Sequence, residues 1–441
     1  MSWYERARRA NGKQDEGAGS KVENRVMMLR SQVEHMINVD ELATMRLANP
    51  ELARNEVRSA CRRAFERPEW VGIGGTELRK LVDRLLDLLF GMGVIEDLIA
   101  DPEITEVMVN GPDKVFFERN GVIEPTAYSF SDEAELRALI DRILGPLGRR
   151  IDEASPMVNA RLPQGHRVNV VVPPIAIDGP AVTIRKFREH VITLAEMESY
   201  GSLAPGVRAF LTWAVKARKS IAVSGGTGSG KTTLLNALSC EIPPEERIVT
   251  IEDSAELRFH EHSHVVRLEA RPRNAEGTGE VTIRDLVINS LRMRPDRIVV
   301  GEVRGSEAQD MLQAMITGHD GSLTTLHANA PTEAITRLST MVRYDADLPV
   351  DVIERTIASA IDLVVQTQRL ATGERMVAQI VSFSFDEVLG RCVVVPIFNR
   401  ESFQDLGTWE RCPEWVETFV RNHQVHAEEV VEWKASCGFA A

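Results

Sequence analysis

Cysteine is scarce in this chain. Cys61, Cys240, Cys392, Cys412 and Cys437 stand singly among 441 residues, an odd count without C-x-x-C spacing, which excludes a disulfide framework and a cysteine zinc site. Long apolar runs are missing as well: none reaches the roughly 18 residues that span a bilayer. The opening MSWYERARRANGKQDEG lacks the apolar core of a secretory leader. Cytoplasm is the compartment these absences leave as the expectation. Positive charge is in deficit, 52 Lys and Arg against 65 Asp and Glu for a net charge of −13, so no nucleic acid partner is expected. No internal repeat is visible.

What is present begins with apolar content of 43%, enough for the cores of two or three domains. Residues 1–95 read as a helical region whose first 20 residues are polar and expected to be disordered. Helical spacing runs from Val22 to about Leu47 and from Glu51 to Glu66. In Thr76–Ile99 the leucines Leu78, Leu81, Leu85, Leu88 and Leu89 track one face, which predicts packing within the domain rather than docking on a membrane. From Ile104 short alternating runs with a helix near Asp132–Leu144 predict a compact α+β domain over 96–187. A polar stretch at 188–200 reads as a linker, and residues 201–400 alternate strand and helix as a parallel α/β domain does. Strands 362–368, 375–385 and 391–398 are expected to be antiparallel. Residues 401–441 form a tail whose Trp409, Trp415 and Trp433 are expected to pack on the body.

The strongest chemical signal is GGTGSGKTT. Gly225, Gly226, Thr227, Gly228, Ser229, Gly230, Lys231, Thr232 and Thr233 follow the apolar run Ser220–Val223 and open a helix-forming stretch. Glycines let backbone N–H groups converge on phosphate oxygens, the helix start adds a positive dipole end, and Lys231 brings a full charge. This predicts binding of a nucleoside triphosphate, with the Thr232 hydroxyl as a ligand of Mg²⁺.

Hydrolysis also needs carboxylates and positive charge on the departing phosphoryl group. Thr250–Asp253 ends a strand, so Glu252 and Asp253 are expected at the carboxyl edge of the sheet, with Glu256 nearby. Arg297–Gly305 reads as a buried strand ending in Glu302, with Gly301 where a Walker B strand usually carries Asp. The segment Gly318–Asn329 holds His319 and His327, which read as turn or core histidines more readily than as catalytic ones. His260, His262 and His264 alternate along an expected strand, where a solvated face is the simpler reading than a metal site.

Taken together, GGTGSGKTT, TIEDSAELRF, LRMRPDRIVVGEVRG and GHDGSLTTLHANAP, in this order and spacing, resemble the ATPases of type II and type IV secretion and of type IV pili. Gly148–Phe187 with Val265–Pro272 looks most like the CpaF-type ATPases of tight-adherence (Tad/Flp) pili, over roughly residues 90–400. The resemblance implies a RecA-like phosphate-loop domain preceded by a smaller α+β domain and an N-terminal helical region. It implies a homohexameric ring, peripheral at the cytoplasmic membrane, that hydrolyses ATP with Mg²⁺ and drives an inner-membrane platform protein. Nucleotide is expected between the N-terminal α+β domain and the RecA-like domain. Arg167 and Arg185, and Arg267 with Arg271, match the family's arginines. By the same resemblance Glu252 and Glu302 activate water and organise Mg²⁺, partly through water in the case of Glu302, while His319 and His327 sense phosphate. Three other readings remain open: a conjugation or effector-secretion ATPase, a nucleotide-gated scaffold without hydrolysis, and a small-molecule kinase.

Overall fold

The computed structural model describes residues 19–38, 42, 45, 49–119, 121–187, 191–259, 261–271, 273 and 278–439. The chain divides into two compact units, residues 1–189 and 190–441. Most of the expected disordered start, and His260, lie outside the described residues. Among the described residues no helix is long and apolar enough to cross a membrane.

In the first unit, helices α1 (Gly19–Glu34), α2 (Pro50–Ala64) and α3 (Gly75–Phe90) bury Leu29, Val57, Leu81 and Leu85 in one cluster with Trp70. The leucine face of α3 is therefore occupied within its own unit. The first helix ends at Glu34, where Met36 closes a tighter i→i−3 turn onto the Val33 carbonyl, and most of the expected continuation to Leu47 lies outside the described residues. After the short helix α4 (Glu96–Ala100) come β1 (Ile104–Asn110), β2 (Val115–Arg119), β3 (Val122–Pro125), α5 (Glu133–Leu144), β4 (Met157–Arg161), β5 (Arg167–Val171) and β6 (Ala181–Arg185). The strands form one antiparallel sheet in the order β3-β2-β1-β6-β5-β4. Asp132 caps α5 by accepting from the Glu135 amide, and Leu136, Leu139 and Ile140 pack with the sheet valines Val107, Val168 and Val182.

Within 188–200, expected as a linker, residues Leu194–Ser199 form α6. A capping box between Thr193 and Glu196 starts it, and Leu194 is fully buried in the core of the second unit. This helix is part of that core. Next come α7 (Val207–Lys216), β7 (Ile221–Gly225), α8 (Lys231–Cys240), β8 (Ile248–Glu252), β9 (Val265–Glu269), α9 (Ile283–Ser290), β10 (Arg297–Val303), α10 (Glu307–Ile316), β11 (Leu323–His327), α11 (Pro331–Val342) and α12 (Val350–Ala360). The chain closes with β12 (Leu363–Arg369), β13 (Arg375–Asp386), β14 (Arg391–Asn399), β15 (Thr408–Trp409), α13 (Glu414–Arg421) and α14 (Ala427–Ser436).

All fifteen residues of β7, β8 and the first four of β10 with Val303 are buried, and all but Arg297 and Glu252 are apolar or small, as strands covered on both faces require. The sheet order is β15-β14-β13-β12-β7-β11-β10-β8-β9. Strands β12 through β9 are parallel, and β13, β14 and β15 extend the sheet antiparallel. Alternation divides the side chains between two cores: Ile221 and Val223 join one with α7 and α8, whereas Ala222 joins the other with α10 and α11. The last forty residues close the first of these cores. Trp409, Trp415 and Trp433 surround Phe210 at centroid distances of 5.3, 5.3 and 5.9 Å, and the Trp433 indole N–H donates to the Gly206 carbonyl at 2.9 Å.

Candidate active site

The loop between β7 and α8 is shaped by its glycines and by a neighbouring strand. Gly228 and Gly230 sit at φ +71° and +95°, and Gly230 is the residue from which α8 starts. Strand β12 lies beside β7 with Thr367 opposite Gly225. The Thr367 hydroxyl donates to the Ser224 carbonyl at 3.0 Å and meets the Ser229 hydroxyl at 2.8 Å. A Cβ at Gly225 would stand 2.3 Å from that Thr367 oxygen, so only glycine fits there. Ser229 also donates to the Gly226 carbonyl at 2.9 Å.

Lys231 is the first residue of α8, and its ammonium donates to the carbonyls of Gly225 and Gly226 at 3.0 and 2.8 Å. Burial pushes its pKa down, and the nearby Glu302 carboxylate opposes that shift. Thr232 and Thr233 complete the first turn. A Gly-built cradle, a helix amino end, a lysine and a hydroxyl converge here, a donor set that fits a polyphosphate carrying Mg²⁺. A cleft of about 660 Å³ opens beside the loop, lined by Gly226, Thr227, Asn329, Gln368, Arg369 and Arg400, a size suited to a small ligand.

Two carboxylates stand at the carboxyl edge of the same sheet, in different surroundings. Glu252, the last residue of β8, is 3% exposed. It accepts the Glu256 amide at 2.7 Å and the Leu257 amide at 3.1 Å. Burial pushes its carboxyl up to about 7, against the opposing pull of those amides and of Arg267. Arg267 leaves β9 in register with Thr250 and donates to the Ala255 carbonyl at 3.0 Å, which holds the loop that cups Glu252. Glu302 is more open, at 25% exposure, and accepts from Arg304 at 2.5 Å. The departure from the usual Walker B pattern has a steric cause: a Cβ at Gly301 would lie 2.9 Å from Cγ of Glu252. The aspartate position is vacated for the glutamate of the neighbouring strand. The Thr325 hydroxyl donates to the Gly301 carbonyl at 2.7 Å and ties β11 to the same point.

The two histidines of Gly318–Asn329 part company. His327 ends β11 in register with Gly225, at the edge that bears the loop. His319 precedes the strand at the opposite edge, where its Nδ1 lies 3.3 Å from the Ala314 carbonyl. The whole length of β11, about 13 Å at strand rise, separates the two ends, so the structure does not bring His319 to the loop. Arg271 bridges to Val281 and donates to the Gly279 carbonyl at 2.6 Å. Arg167 and Arg185 belong to the first unit, directly opposite each other on β5 and β6, with Glu106 opposite Arg185 on β1. His262 and His264 precede β9 instead of alternating along it: His262 Nε2 lies 2.6 Å from the Ile242 carbonyl, and His264 pairs with Arg247. Among the described residues no cluster of His, Cys, Asp and Glu forms a metal site.

Three arginines escape sequence reasoning. Arg375 donates to the Gly228 carbonyl at 2.8 Å, and Arg369, its cross-strand partner in the β12–β13 hairpin, holds its Nη1 where a Cβ at Gly228 would meet it at 3.4 Å. Arg304 bridges Glu302 and Asp253. Only the pairing of β12 with β7 would have pointed to the first two.

A family model described as "Type II/IV secretion system protein" matches residues 89–387, the stretch that carries all of these groups except Arg400. The chain belongs to this family. This type II/IV secretion protein is an ATPase, and nucleotide binding follows from that activity. It is 37% identical to a putative conjugal transfer protein of Mycobacterium tuberculosis, over 75% of this chain and 94% of the relative. It is 35% identical to the type IV secretion system protein VirB11 of Brucella suis, over 64% and 86%. Among solved structures, the pilus retraction motor PilT with bound ADP matches at TM-score 0.50 and 18% identity, covering 77% of this chain and 88% of that one. The likeness shows the fold: the second unit of this secretion ATPase is RecA-like.

Proposed function

We propose that this ATPase is a homohexameric motor that hydrolyses Mg²⁺-ATP and powers assembly of a Tad-type pilus, with retraction open as a second direction, through an inner-membrane platform protein. The observation that carries it is one sheet edge holding a phosphate loop and two carboxylates of opposite character, one buried near neutrality and one open. In this reading Gly225–Thr233 hold the phosphates, and Thr232 and Glu302 organise Mg²⁺, Glu302 partly through water. Bound Mg²⁺ neutralises charge on the phosphates during transfer. Glu252 accepts a proton from the attacking water, with its carboxyl poised where a base works at neutral pH. Arg267 orients the Glu252 loop, His327 senses phosphate, and Arg167 and Arg185 supply positive charge to the γ-phosphate within the ring.

A second reading, an ATPase of conjugation or effector secretion, is favoured by the names of the conjugal transfer and VirB11 relatives. The Tad-like segment Gly148–Phe187 favours the first. Steady-state ATPase activity of the full chain across concentration tests the motor. Activity per molecule is expected to rise with concentration and to fall at least a hundredfold in Glu302→Gln and Arg185→Ala while both still bind nucleotide. Turnover independent of concentration removes the ring. Deleting the gene separates the two readings: loss of surface pili supports the first, and loss of DNA or effector transfer with pili intact supports the second.

A further inference from the structure

Strands β8 and β10 are parallel neighbours, so their carboxyl ends set Asp253 and Glu302 side by side. Arg304 follows two residues after Glu302, and strand alternation returns its side chain to the same side. One guanidinium nitrogen donates to Glu302 Oε2 at 2.5 Å and the other to Asp253 Oδ2 at 3.3 Å. A single planar fork thus joins the two acidic segments of the site.

The starting point of that fork is fixed from behind. The buried carboxylate of Glu307, at the beginning of α10, accepts the amides of Arg304 at 2.7 Å and Gly305 at 2.8 Å. A Cβ at Gly305 would stand 2.9 Å from the same carboxylate, so the turn is built around Glu307. The backbone of Arg304 is anchored while its side chain stays 64% exposed. An ion pair in that much water is worth about fivefold at most in an equilibrium constant. A divalent cation can displace it.

We propose that Arg304 is a positioning residue for the metal: its guanidinium and Mg²⁺ compete for the Glu302 carboxylate, and Arg304 releases Glu302 as the Mg²⁺–nucleotide complex binds. This rests on the reading that Glu302 organises Mg²⁺. Asp253 gives the displaced guanidinium a second carboxylate to hold, so the arginine keeps its place at the mouth of the site. Its charge stays near the phosphates, where it favours nucleotide in either case.

The proposal makes two effects of one substitution run in opposite directions, which a merely structural role would not. Binding of a fluorescent ADP analogue to the full chain, measured by anisotropy across a Mg²⁺ series and in EDTA, reads both. Arg304→Gln is expected to lower the half-saturating Mg²⁺ about fivefold and to weaken binding in EDTA by a similar factor. Arg304→Lys, which keeps charge but loses the fork, is expected to lower half-saturating Mg²⁺ by about twofold with binding in EDTA unchanged, and it carries the test if the glutamine variant does not fold. Half-saturating Mg²⁺ that stays the same or rises in the folded variants overturns the proposal. Glu302→Gln separates the two layers. If it leaves the Mg²⁺ dependence intact, the metal role of Glu302 fails. If it abolishes that dependence while Arg304→Gln matches wild type, only the competition fails.

Discussion

The two ends of β10 each carry an arginine, and the two live in different media. Arg297, at the amino end, is fully buried: Nε donates to Glu246 at 2.6 Å, Nη1 to the Gly321 carbonyl at 3.0 Å and Nη2 to the Val215 carbonyl at 2.8 Å. Burial pushes its pKa down and the Glu246 carboxylate opposes the shift. Arg304, just past the carboxyl end, faces water and shares its donors between two exposed or half-buried carboxylates. An arginine whose directions are all taken by fixed acceptors holds strands together and has nothing left to give a ligand. One whose partners are solvated can change partners, which is what a catalytic cycle asks of it. The parallel sheet sorts them, since its carboxyl edge is where ligands bind in open α/β folds.

Breaking the amino end has the largest expected effect. Arg297→Ala opens a cavity in the core, leaves the mostly buried Glu246 with only the half-exposed Arg218, and takes the side-chain donor from the Gly321 carbonyl, a loss of about 3–5 kcal/mol. Thermal unfolding by circular dichroism is expected to shift down by 10 °C or more; a wild-type melting curve would erase the contrast between the two ends.

The next effect belongs to Glu252. Its folded carboxyl titrates at about 7, above the ordinary carboxylate range, so its favourable contribution is complete at acidic pH and is lost as pH rises through 7. The cost of ionising it in place is on the order of 3 kcal/mol. Glu252→Gln is expected to melt higher than wild type by a margin that grows from pH 5 to pH 8, while turnover loses its rise through pH 7. Melting curves at three pH values decide it, and a margin that shrinks with pH contradicts a buried carboxyl.

The smallest effect sharpens the comparison on one shared carboxylate. Arg218 also pairs with Glu246, at 3.2 Å, yet its side chain is 43% exposed. Arg218→Gln is expected to cost about 0.5 kcal/mol or less, within a degree or two of wild type in the same melting experiment. A loss matching that of Arg297→Ala would mean that burial does not rank these pairs.

Much of this was legible before any coordinates. The phosphate loop announces itself because its chemistry is local: nine consecutive residues make the turn, the cradle and the helix start. Glu252 and Glu302 were legible because an apolar run that stops at a carboxylate marks a strand end. Arg304, Arg369 and Arg375 were not singled out, since their partners are set by strand pairing across as many as 147 residues. His319 misleads for the opposite reason: eight positions from His327 looks close, but a five-residue extended strand carries the two to opposite edges. The polar composition of 188–200 likewise hides Leu194 and Met197, two apolar residues that are enough to seat α6 in the core.

The aromatic closure around Phe210 has an optical consequence. Trp213, Trp409, Trp415 and Trp433 are four of the six tryptophans of the chain, and Trp433 lies 5.5 Å from Trp213 and 4.9 Å from Trp409. Rings that close exchange excitation, so the intrinsic emission of the protein is largely the signature of one cluster. A change in that emission reports the seating of the last forty residues, and a dye on the nucleotide is needed to watch the other end of the sheet.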